Sequence, residues 1–336
     1  MLEAPEDLTA EHISAALRRW WGIDPVDVDY AAVGHGSHNW IVLAADATKW
    51  FVKADRKGED TSAFFLSTYE TAAVLRDAGL DFVHAAVRDR SGQLRREASP
   101  SWEIGVFSFI DGRNPDFHGS AAERAQIAET LGRLHAHPPT SVPALRWEPG
   151  YRQPELRQLL ATTRDRSWSR GPYAQAAYDL FTTSASGIEE LFALQGHLVH
   201  RLRRAVDPWV ITHGEPHGGN TMLDLAKEIH LIDCNAMMLA PRERDLWLLL
   251  YVGHEFPLDV DNTGVLAAYQ RGAGPFEPRP FVLELFRAEW HLSEISGYLQ
   301  EFSTPHGDSE DAANDWHYLN RYLPVTRNWP EIRVRT

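Results

Sequence analysis

Two short apolar segments that each end in polar residues constrain this chain of 336 residues more than any other feature. The first, residues 209–212, leads into His-Gly-Glu-Pro-His-Gly-Gly-Asn at 213–220, and the second, residues 229–232, ends at Asp233. Short apolar runs bounded by turn-forming residues are typical of strands. We therefore expect two short strands whose ends hold a polar loop and an aspartate on a rigid support.

Three side chains that follow these strands suit the transfer of a phosphoryl group. Glu215 is a carboxylate that can accept or orient the proton of an attacking hydroxyl. Asn220 and Asp233 offer the oxygen ligands that Mg²⁺ prefers. Transfer from ATP needs little covalent help from a protein and depends mainly on positioning and charge. The pattern therefore predicts Glu215 as the base, Asn220 and Asp233 as magnesium ligands, and ATP and Mg²⁺ as cofactors.

Together with Pro-Arg-Glu-Arg-Asp-Leu at residues 241–246, this segment resembles the aminoglycoside phosphotransferase and choline kinase-like family. Residues 238–246 most resemble its spectinomycin phosphotransferase branch. The resemblance covers essentially the whole chain, and its strongest motifs lie between His213 and Leu246. The chain departs from the family at Glu215, where the family has aspartate, and at Cys234, where the family usually has an aromatic residue.

Composition narrows the partners. The formal net charge is −14, from 47 acidic and 33 basic residues, which argues against nucleic acid and is compatible with a cationic substrate. No segment approaches the roughly 20 apolar residues that a membrane helix needs. The acidic N-terminus lacks the plan of a signal peptide, and one cysteine excludes an internal disulfide. We therefore expect a cytoplasmic protein that acts on a small molecule, without nucleic acid or membrane partners.

The N-terminal third shows mostly strand patterns. Residues 40–44 and 50–54 flank a turn and predict a β-hairpin, and residues 101–110 predict a further strand. A helix is expected over residues 67–78, closed by Gly79.

The pattern becomes helical after Asp111. Ser120 and Glu123 form the signature of a capping box, which predicts the start of a helix. Further helices are expected at residues 246–252 and 281–302.

A β-rich lobe followed by a helical lobe is the plan of protein kinases. We predict an α+β, protein-kinase-like fold with a nucleotide-binding lobe over residues 1–110. A catalytic and substrate-binding lobe is predicted over residues 111–336.

The second hairpin strand carries Lys53, whose ammonium group can hold the α- and β-phosphates as a strand lysine does in kinases. A charged residue that protects a sheet edge is the alternative. On the following helix, Glu70 is the predicted partner of Lys53, and Glu59 in the preceding loop is the competing choice.

Two further segments are predicted to touch the nucleotide. Gly34 and Gly36, with Ser37, form a short glycine-containing loop whose backbone N–H groups can approach phosphate, although an ordinary turn is the alternative. The resemblance implies that the backbone of Ser108, Phe109 and Ile110 forms the hinge that reads the adenine edge. A plain core strand would be compatible with that role.

Three residues are predicted to support the Glu215 loop. The resemblance implies that His213 braces the loop by hydrogen bonds, and His217 is assigned a similar structural role. Asp245 opens an apolar helix, where a lone buried carboxylate is costly unless it is paired. By the resemblance, its partners are backbone N–H groups of the loop.

Four acidic residues are candidates for substrate binding. Glu255 and Asp259 lie near the loops of the second lobe, and Glu289 and Glu294 lie on the late helix. A solvated helix face is the alternative for the helical pair.

The resemblance implies an ATP-dependent O-phosphotransferase that acts on an aminoglycoside or aminocyclitol antibiotic and confers resistance. Two alternatives stay open at this point. One is a metabolic small-molecule kinase, since one fold serves many substrates. The other is a nucleotide-binding pseudokinase, suggested by Glu215 in place of aspartate, although the retained Lys53, Asn220 and Asp233 argue against it.

Overall fold

The computed structural model describes residues 1–58, 62–116, 119–162, 168–205, 208–250 and 262–325. An antiparallel five-stranded sheet forms the N-terminal part of the chain, in the order β1-β2-β3-β5-β4. Its strands are β1 (Pro25–Ala31), β2 (His38–Ala44), β3 (Lys49–Arg56), β4 (Arg95–Ser99) and β5 (Trp102–Ser108). The predicted hairpin is confirmed as β2 and β3, in which Lys53 lies opposite Asn39.

Two helices pack with this sheet. Helix α1 (Ala10–Ala16) continues into a π-helical turn (Leu17–Trp21), and α2 (Ser62–Asp77) follows β3. The strand-dominated prediction for the first hundred residues missed α1. Its cap explains the miss, because His12 Nδ1 accepts from the Thr9 N–H at 3.2 Å, where a capping box usually has Glu or Gln.

The C-terminal part is mainly helical. Its helices are α3 (Ala121–His135), α4 (Pro154–Thr162), α5 (Ala174–Leu202), α6 (Glu243–Leu250), α7 (Thr263–Ala273), α8 (Pro280–Ser303) and α9 (Glu310–Tyr322). The predicted capping box of α3 is confirmed, since the Glu123 N–H donates to Ser120 Oγ at 3.2 Å and the Ser120 N–H to Glu123 Oε2 at 2.8 Å. Across the described parts of the chain, we find no helix both long and apolar enough to span a bilayer.

In the described segments of this helical part, five short strands are present. They are β6 (Gly112–Arg113), β7 (Val210–Thr212), β8 (Thr221–Asp224), β9 (Ile229–Leu231) and β10 (Met238–Ala240). β7 pairs with β10, and β8 pairs with both β6 and β9. The predicted lobe boundary after residue 110 falls between β5 and β6, and it stays a prediction.

The largest apolar core holds the ends of these short strands. Ile211 of β7 and Leu231 of β9 are fully buried there, together with Leu131 of α3 and Leu246 of α6. Burying each such side chain stabilises the fold by about 1.5–3 kcal/mol. Because a close-packed interior tolerates little displacement, polar residues that follow these strands are held in place.

Candidate active site

A cavity of about 340 Å³ lies between the five-stranded sheet and the short strands. Most residues predicted to bind nucleotide or metal contribute to its wall, although they come from widely separated segments. The predicted residues in the wall are Gly34, Ser37, Lys53, Ser108, Phe109, Ile110, Asn220 and Asp233.

The glycine-containing loop between β1 and β2 has the conformation that its sequence requires. Gly34 and Gly36 have φ values of +75° and +82°, which residues with a side chain rarely adopt. Asn39 holds the loop, because its side-chain amide donates to the carbonyl groups of Val33 at 2.8 Å and Ser37 at 3.3 Å. Gly34 and Ser37 belong to the cavity wall, and Gly36 does not.

Lys53 lies against Asp233 at the floor of the cavity. The ammonium group of Lys53 donates to Asp233 Oδ1, and only 8% of the lysine is exposed. Burial alone would lower the pKa of Lys53, but the adjacent carboxylate raises it above its usual value. Asp233 follows β9 with a φ of +55°, a conformation uncommon outside glycine that is often found at functional sites.

The expected pair of Lys53 with Glu70 is wrong. Glu70 instead binds Arg88 through two hydrogen bonds of 2.8 and 3.0 Å. Tyr69 faces the sheet, where a Cβ on Gly105, the residue opposite Lys53, would lie 2.8 Å from the tyrosine ring. Successive helical residues point about 100° apart, so the turn of α2 that directs Tyr69 at the sheet directs Glu70 away from it.

The predicted hinge follows β5. His84 Nε2 donates to the Ser108 carbonyl at 2.8 Å, and the Phe109 N–H donates to the Lys49 carbonyl at 3.3 Å. Burial lowers the pKa of His84 to about 4, which keeps its ring neutral. Among the described residues, no hydrogen bond is formed to the Phe109 carbonyl or from the Ile110 N–H.

A buried network braces the loop that carries Glu215. Asp245 accepts from the N–H groups of His213 and Gly214, both at 2.7 Å, as the family resemblance implied. His135 Nε2 adds a hydrogen bond at 2.9 Å, and Tyr269 binds the other side of that ring at 2.8 Å. Burial alone would raise the pKa of Asp245, but the hydrogen bond from His135 lowers it below its usual value.

The contribution of His135 was missed, because its position on the apolar face of α3 gives no sign of a partner more than a hundred residues away. The ring of His213 links the Glu215 loop to the residue before Asp233, because its Nε2 donates to the Ile232 carbonyl at 2.8 Å. His217 packs edge-on against Trp290 with the ring centroids 6.3 Å apart. Both contacts are compatible with the predicted bracing roles.

Arg244 also supports the loop that carries Glu215. It donates to Thr212 Oγ1 at 2.8 Å and to the Ala236 carbonyl at 3.0 Å, so it joins β7 to the turn after Asp233. Gly214 has a φ of +100°, and a Cβ there would lie 2.6 Å from the Arg244 guanidinium. The glycine is therefore required both by the turn and by this close approach.

Arg152 was not identified from the sequence, yet it contacts the predicted base. Its guanidinium donates to Glu215 Oε1, and the two side chains are 35% and 21% exposed. Burial alone would raise the pKa of Glu215, but Arg152 lowers it to about 2. Glu215 is therefore ionised at neutral pH. Arg152 precedes α4 in a loop without a recognisable motif.

Asn220 and Asp233 fit a magnesium ion. The Asn220 amide nitrogen donates to the Glu215 carbonyl at 3.0 Å, which leaves the amide oxygen available as a ligand. The described residues contain no cluster of three or more His, Cys, Asp or Glu suited to a metal. A site with two protein oxygen ligands suits Mg²⁺, which commonly takes its other ligands from phosphate and water.

Glu294 of α8 belongs to the same region as Glu215. It accepts from the Tyr298 hydroxyl at 3.1 Å. Burial raises the pKa of Glu294 to about 7, and the negative charge of Glu215 contributes to the increase. Of the two predicted substrate-binding acids that the structure describes, Glu289 and Glu294, it is Glu294 whose charge interacts with that of Glu215.

Glu289, predicted on the same helix to bind substrate, is instead structural. It is 6% exposed, and its carboxylate accepts from the Gly150 N–H at 2.8 Å and from the Gln195 side chain. A carboxylate satisfied by protein donors in the interior has no free face for a ligand. Glu255 and Asp259, and the alternative lysine partner Glu59, lie outside the described residues.

Known proteins are similar to this chain over most of its length. The model of the phosphotransferase enzyme family matches residues 29–285. Protein StrN of Streptomyces griseus is 28% identical over 281 residues, which are 80% of each chain.

Solved structures show the same fold. A spectinomycin phosphotransferase in complex with ADP and spectinomycin superposes with a TM-score of 0.72 at 19% identity, over 96% of this chain and 98% of that chain. A microcompartment-associated aminopropanol kinase gives 0.62 at 14% identity, over 95% and 98%. The predicted kinase-like α+β fold and the predicted resemblance are confirmed. Because the family match includes every predicted catalytic and metal-binding residue, this chain belongs to the phosphotransferase enzyme family.

Proposed function

We propose that this protein transfers the γ-phosphoryl group of ATP to a hydroxyl of a cationic small molecule, with aminocyclitol or aminoglycoside antibiotics as the substrate class. The observation that carries the proposal is the convergence of Lys53, Asn220 and Asp233 at one cavity. The Glu215 backbone is joined directly to Asn220 by a hydrogen bond of 3.0 Å. These contacts support one site in which Glu215 would act as the base, Asn220 and Asp233 as metal ligands and Lys53 as the phosphate-binding residue.

On the nucleotide side, the Phe109 carbonyl and the Ile110 N–H are the hinge groups available to read the adenine edge. Lys53 would bind the phosphates, and the backbone beside Gly34 would cover them. Asn220 and Asp233 would hold Mg²⁺, which when bound neutralises charge on the transferred phosphoryl group.

On the acceptor side, Glu215 would orient the substrate hydroxyl and accept its hydrogen bond. The hydroxyl oxygen attacks the γ-phosphorus in line, and the bond from that phosphorus to the β–γ bridging oxygen breaks with its electron pair going to ADP. The hydroxyl proton passes through Glu215 to solvent as the new P–O bond is completed. A carboxylate with a pKa of about 2 is a weak base. A loose phosphoryl-transfer transition state demands little proton removal, so orientation is the larger part of this role.

The charge of the acceptor region supports a cationic substrate. Glu294 lies near Glu215, and the chain carries a net charge of −14. Because Arg152 is paired with Glu215, Glu294 is the carboxylate that would stabilise an ammonium group by charge, and spectinomycin is bound in one of the similar structures.

An amino alcohol of metabolism is the second candidate substrate class. The similarity to an aminopropanol kinase supports it, and such a compound also presents a hydroxyl beside an ammonium group. A binding-only pseudokinase is not supported, because the Glu215 loop keeps its complete bracing by Asp245. The cytoplasmic location stays a prediction.

A panel experiment tests the proposal. ATP consumption is measured with aminocyclitols, aminoglycosides, amino alcohols and uncharged sugars, and the phosphorylated product is identified by mass spectrometry. We expect one cationic class to be phosphorylated, with a KM that rises with salt, because exposed charges are screened beyond about 8 Å at physiological ionic strength. No phosphorylated product from any acceptor would refute the phosphotransfer. A preferred acceptor that is neutral or anionic would refute the cationic substrate.

A further inference from the structure

We infer that Arg152 is the positioning residue for Glu215, so that this enzyme aims its unusually long carboxylate by means of an arginine. The inference rests on the proposed function, because it concerns how Glu215 meets the acceptor hydroxyl. Arg152 touches Glu215 directly, and its loop lies more than sixty residues before the Glu215 loop in the chain.

The two oxygens of the Glu215 carboxylate have different surroundings. Oε1 of Glu215 accepts from Arg152 Nη1, and no described residue donates to Oε2. A glutamate has one more rotatable bond than an aspartate, so its carboxylate needs an additional constraint to hold one direction. A charge-assisted hydrogen bond supplies that constraint at one oxygen and leaves the other to accept the hydroxyl.

The loop that carries Arg152 is held from two sides. The Gly150 N–H donates to Glu289 at 2.8 Å, and the Gln153 side chain donates to the Glu289 carbonyl at 3.1 Å, which fixes the loop to α8. Within the same loop, the Tyr151 hydroxyl lies 3.4 Å from Arg244 Nη2, the arginine beneath the Glu215 loop. An isolated surface ion pair contributes little, whereas this arginine lies in a loop that is anchored to α8 and to Arg244.

The local charges require such a cation. The negative charge of Glu215 acts on Glu294 and raises its pKa. Two carboxylates in one partly buried region repel each other. Arg152 offsets that repulsion and keeps the Glu215 carboxylate extended. An aspartate at position 215 would end about 1.5 Å short of this contact. The arginine therefore also accounts for the glutamate that departs from the family pattern.

A double-mutant cycle tests the inference. Arg152→Met and Glu215→Asp are made singly and together, and kcat and KM are measured with the acceptor identified by the panel. We expect Arg152→Met alone to lower kcat at least about tenfold, with the KM for ATP changed by less than about twofold. In the Glu215→Asp background the same change should cost less than about threefold, because the shorter carboxylate does not reach Arg152.

Two further variants make the cycle specific. Arg152→Lys keeps the charge but not the planar guanidinium, and it should retain an intermediate kcat. Arg146→Met is the matched control, since Arg146 is exposed, stacks on Trp209 at 3.6 Å and does not belong to the cavity wall. It should keep the kcat of the unsubstituted enzyme. If Arg152→Met does not fold, Arg152→Lys carries the cycle with Glu215→Asp.

The outcomes separate this inference from the proposed function. An equal loss of kcat in both backgrounds would show that Arg152 acts only through its loop, and an unchanged kcat in Arg152→Met would show that it has no part in transfer. Either result overturns the inference while transfer by the unsubstituted enzyme stands. Absence of transfer to every acceptor by the unsubstituted enzyme overturns the proposed function, and the role of Arg152 with it.

Discussion

The nucleotide half of the candidate site, around Lys53 and Asp233, was predicted from the sequence more fully than the acceptor half, around Glu215 and Glu294. In the nucleotide half, Lys53, Asp233 and the hinge lie in one cavity, as predicted. In the acceptor half, Glu215 has an unexpected partner in Arg152, and Glu289 is structural. Lys53 lies within β3, the hinge lies at the end of β5 and Asp233 follows β9, whereas loops and one long helix carry the second set. Local patterns predict strands and the residues that follow them better than they predict which side chains meet across helices.

The halves share one device, a carboxylate held by a cation. Lys53 holds Asp233, and Arg152 holds Glu215. A lysine is a flexible point charge, which suits a residue that must turn to a phosphate when the nucleotide binds. An arginine has a planar group with fixed donor directions, which suits a residue that must hold an orientation. The comparison predicts that substitutions in the two halves affect different kinetic parameters.

The largest effect is expected for Asp233→Asn in the nucleotide half. The change keeps the shape of the side chain but removes the charge that faces Lys53 and the candidate ion. We expect kcat to fall by about 10³-fold, the order seen when a main charge-stabilising group is lost. Steady-state kinetics measure the loss, and circular dichroism checks that the fold is intact. Activity near that of the unsubstituted enzyme would contradict the metal assignment.

In the acceptor half, Glu215→Gln should lower kcat by about 10- to 100-fold while the affinity for ATP changes little. The amide keeps the shape but loses the charge that Arg152 binds. Nucleotide affinity is measured by isothermal titration, and kcat with the identified acceptor. If ATP affinity fell together with kcat, Glu215 would belong to the nucleotide half, and the division drawn here would fail.

A smaller effect is expected from the pH dependence of substrate binding. The groups that act on Glu294 are Glu215, Tyr298, Arg152 and His35. Because the pKa of Glu294 is raised to about 7, its carboxyl is mostly protonated below that pH and ionised above it. A cation bound by this carboxylate should therefore show a KM that rises by up to about tenfold between pH 8 and pH 6.

The control for this prediction is Glu294→Gln, which removes the titrating carboxyl and leaves His35 in place. Its KM should be higher at pH 8 and nearly independent of pH. A pH dependence that survives in this variant would assign the effect to another group. The same raised pKa makes the folded state favour the protonated acid, so this group's contribution to stability is lost as pH rises from about 4.5 to about 7.

The smallest effect is expected for Glu70→Gln. The residue pairs with Arg88, and the two side chains are 40% and 37% exposed. Such a pair contributes about 0–1 kcal/mol to the free energy of unfolding, so urea denaturation should show little change. kcat should stay within about twofold of the unsubstituted enzyme. A large loss of kcat would restore Glu70 as the functional partner of Lys53.

The sequence by itself determined the hairpin, the capping box of α3, the fold class and the segments that hold Lys53, Glu215, Asn220 and Asp233. Each depends on local chemistry, such as strand alternation, a cap, or polar residues after a short apolar run. The family-level motif also placed Asp245 against the backbone of the Glu215 loop.

Only the tertiary structure decided which charges meet. Whether Glu70 or Tyr69 faces Lys53 depends on how α2 is rotated about its axis against the sheet. A rotation by one helical position, about 100°, would exchange the two side chains. The contact between Arg152 and Glu215 depends on the loop before α4 docking against α8 through Glu289. Contacts between distant segments are set by the packing of whole elements, which no short stretch of sequence encodes.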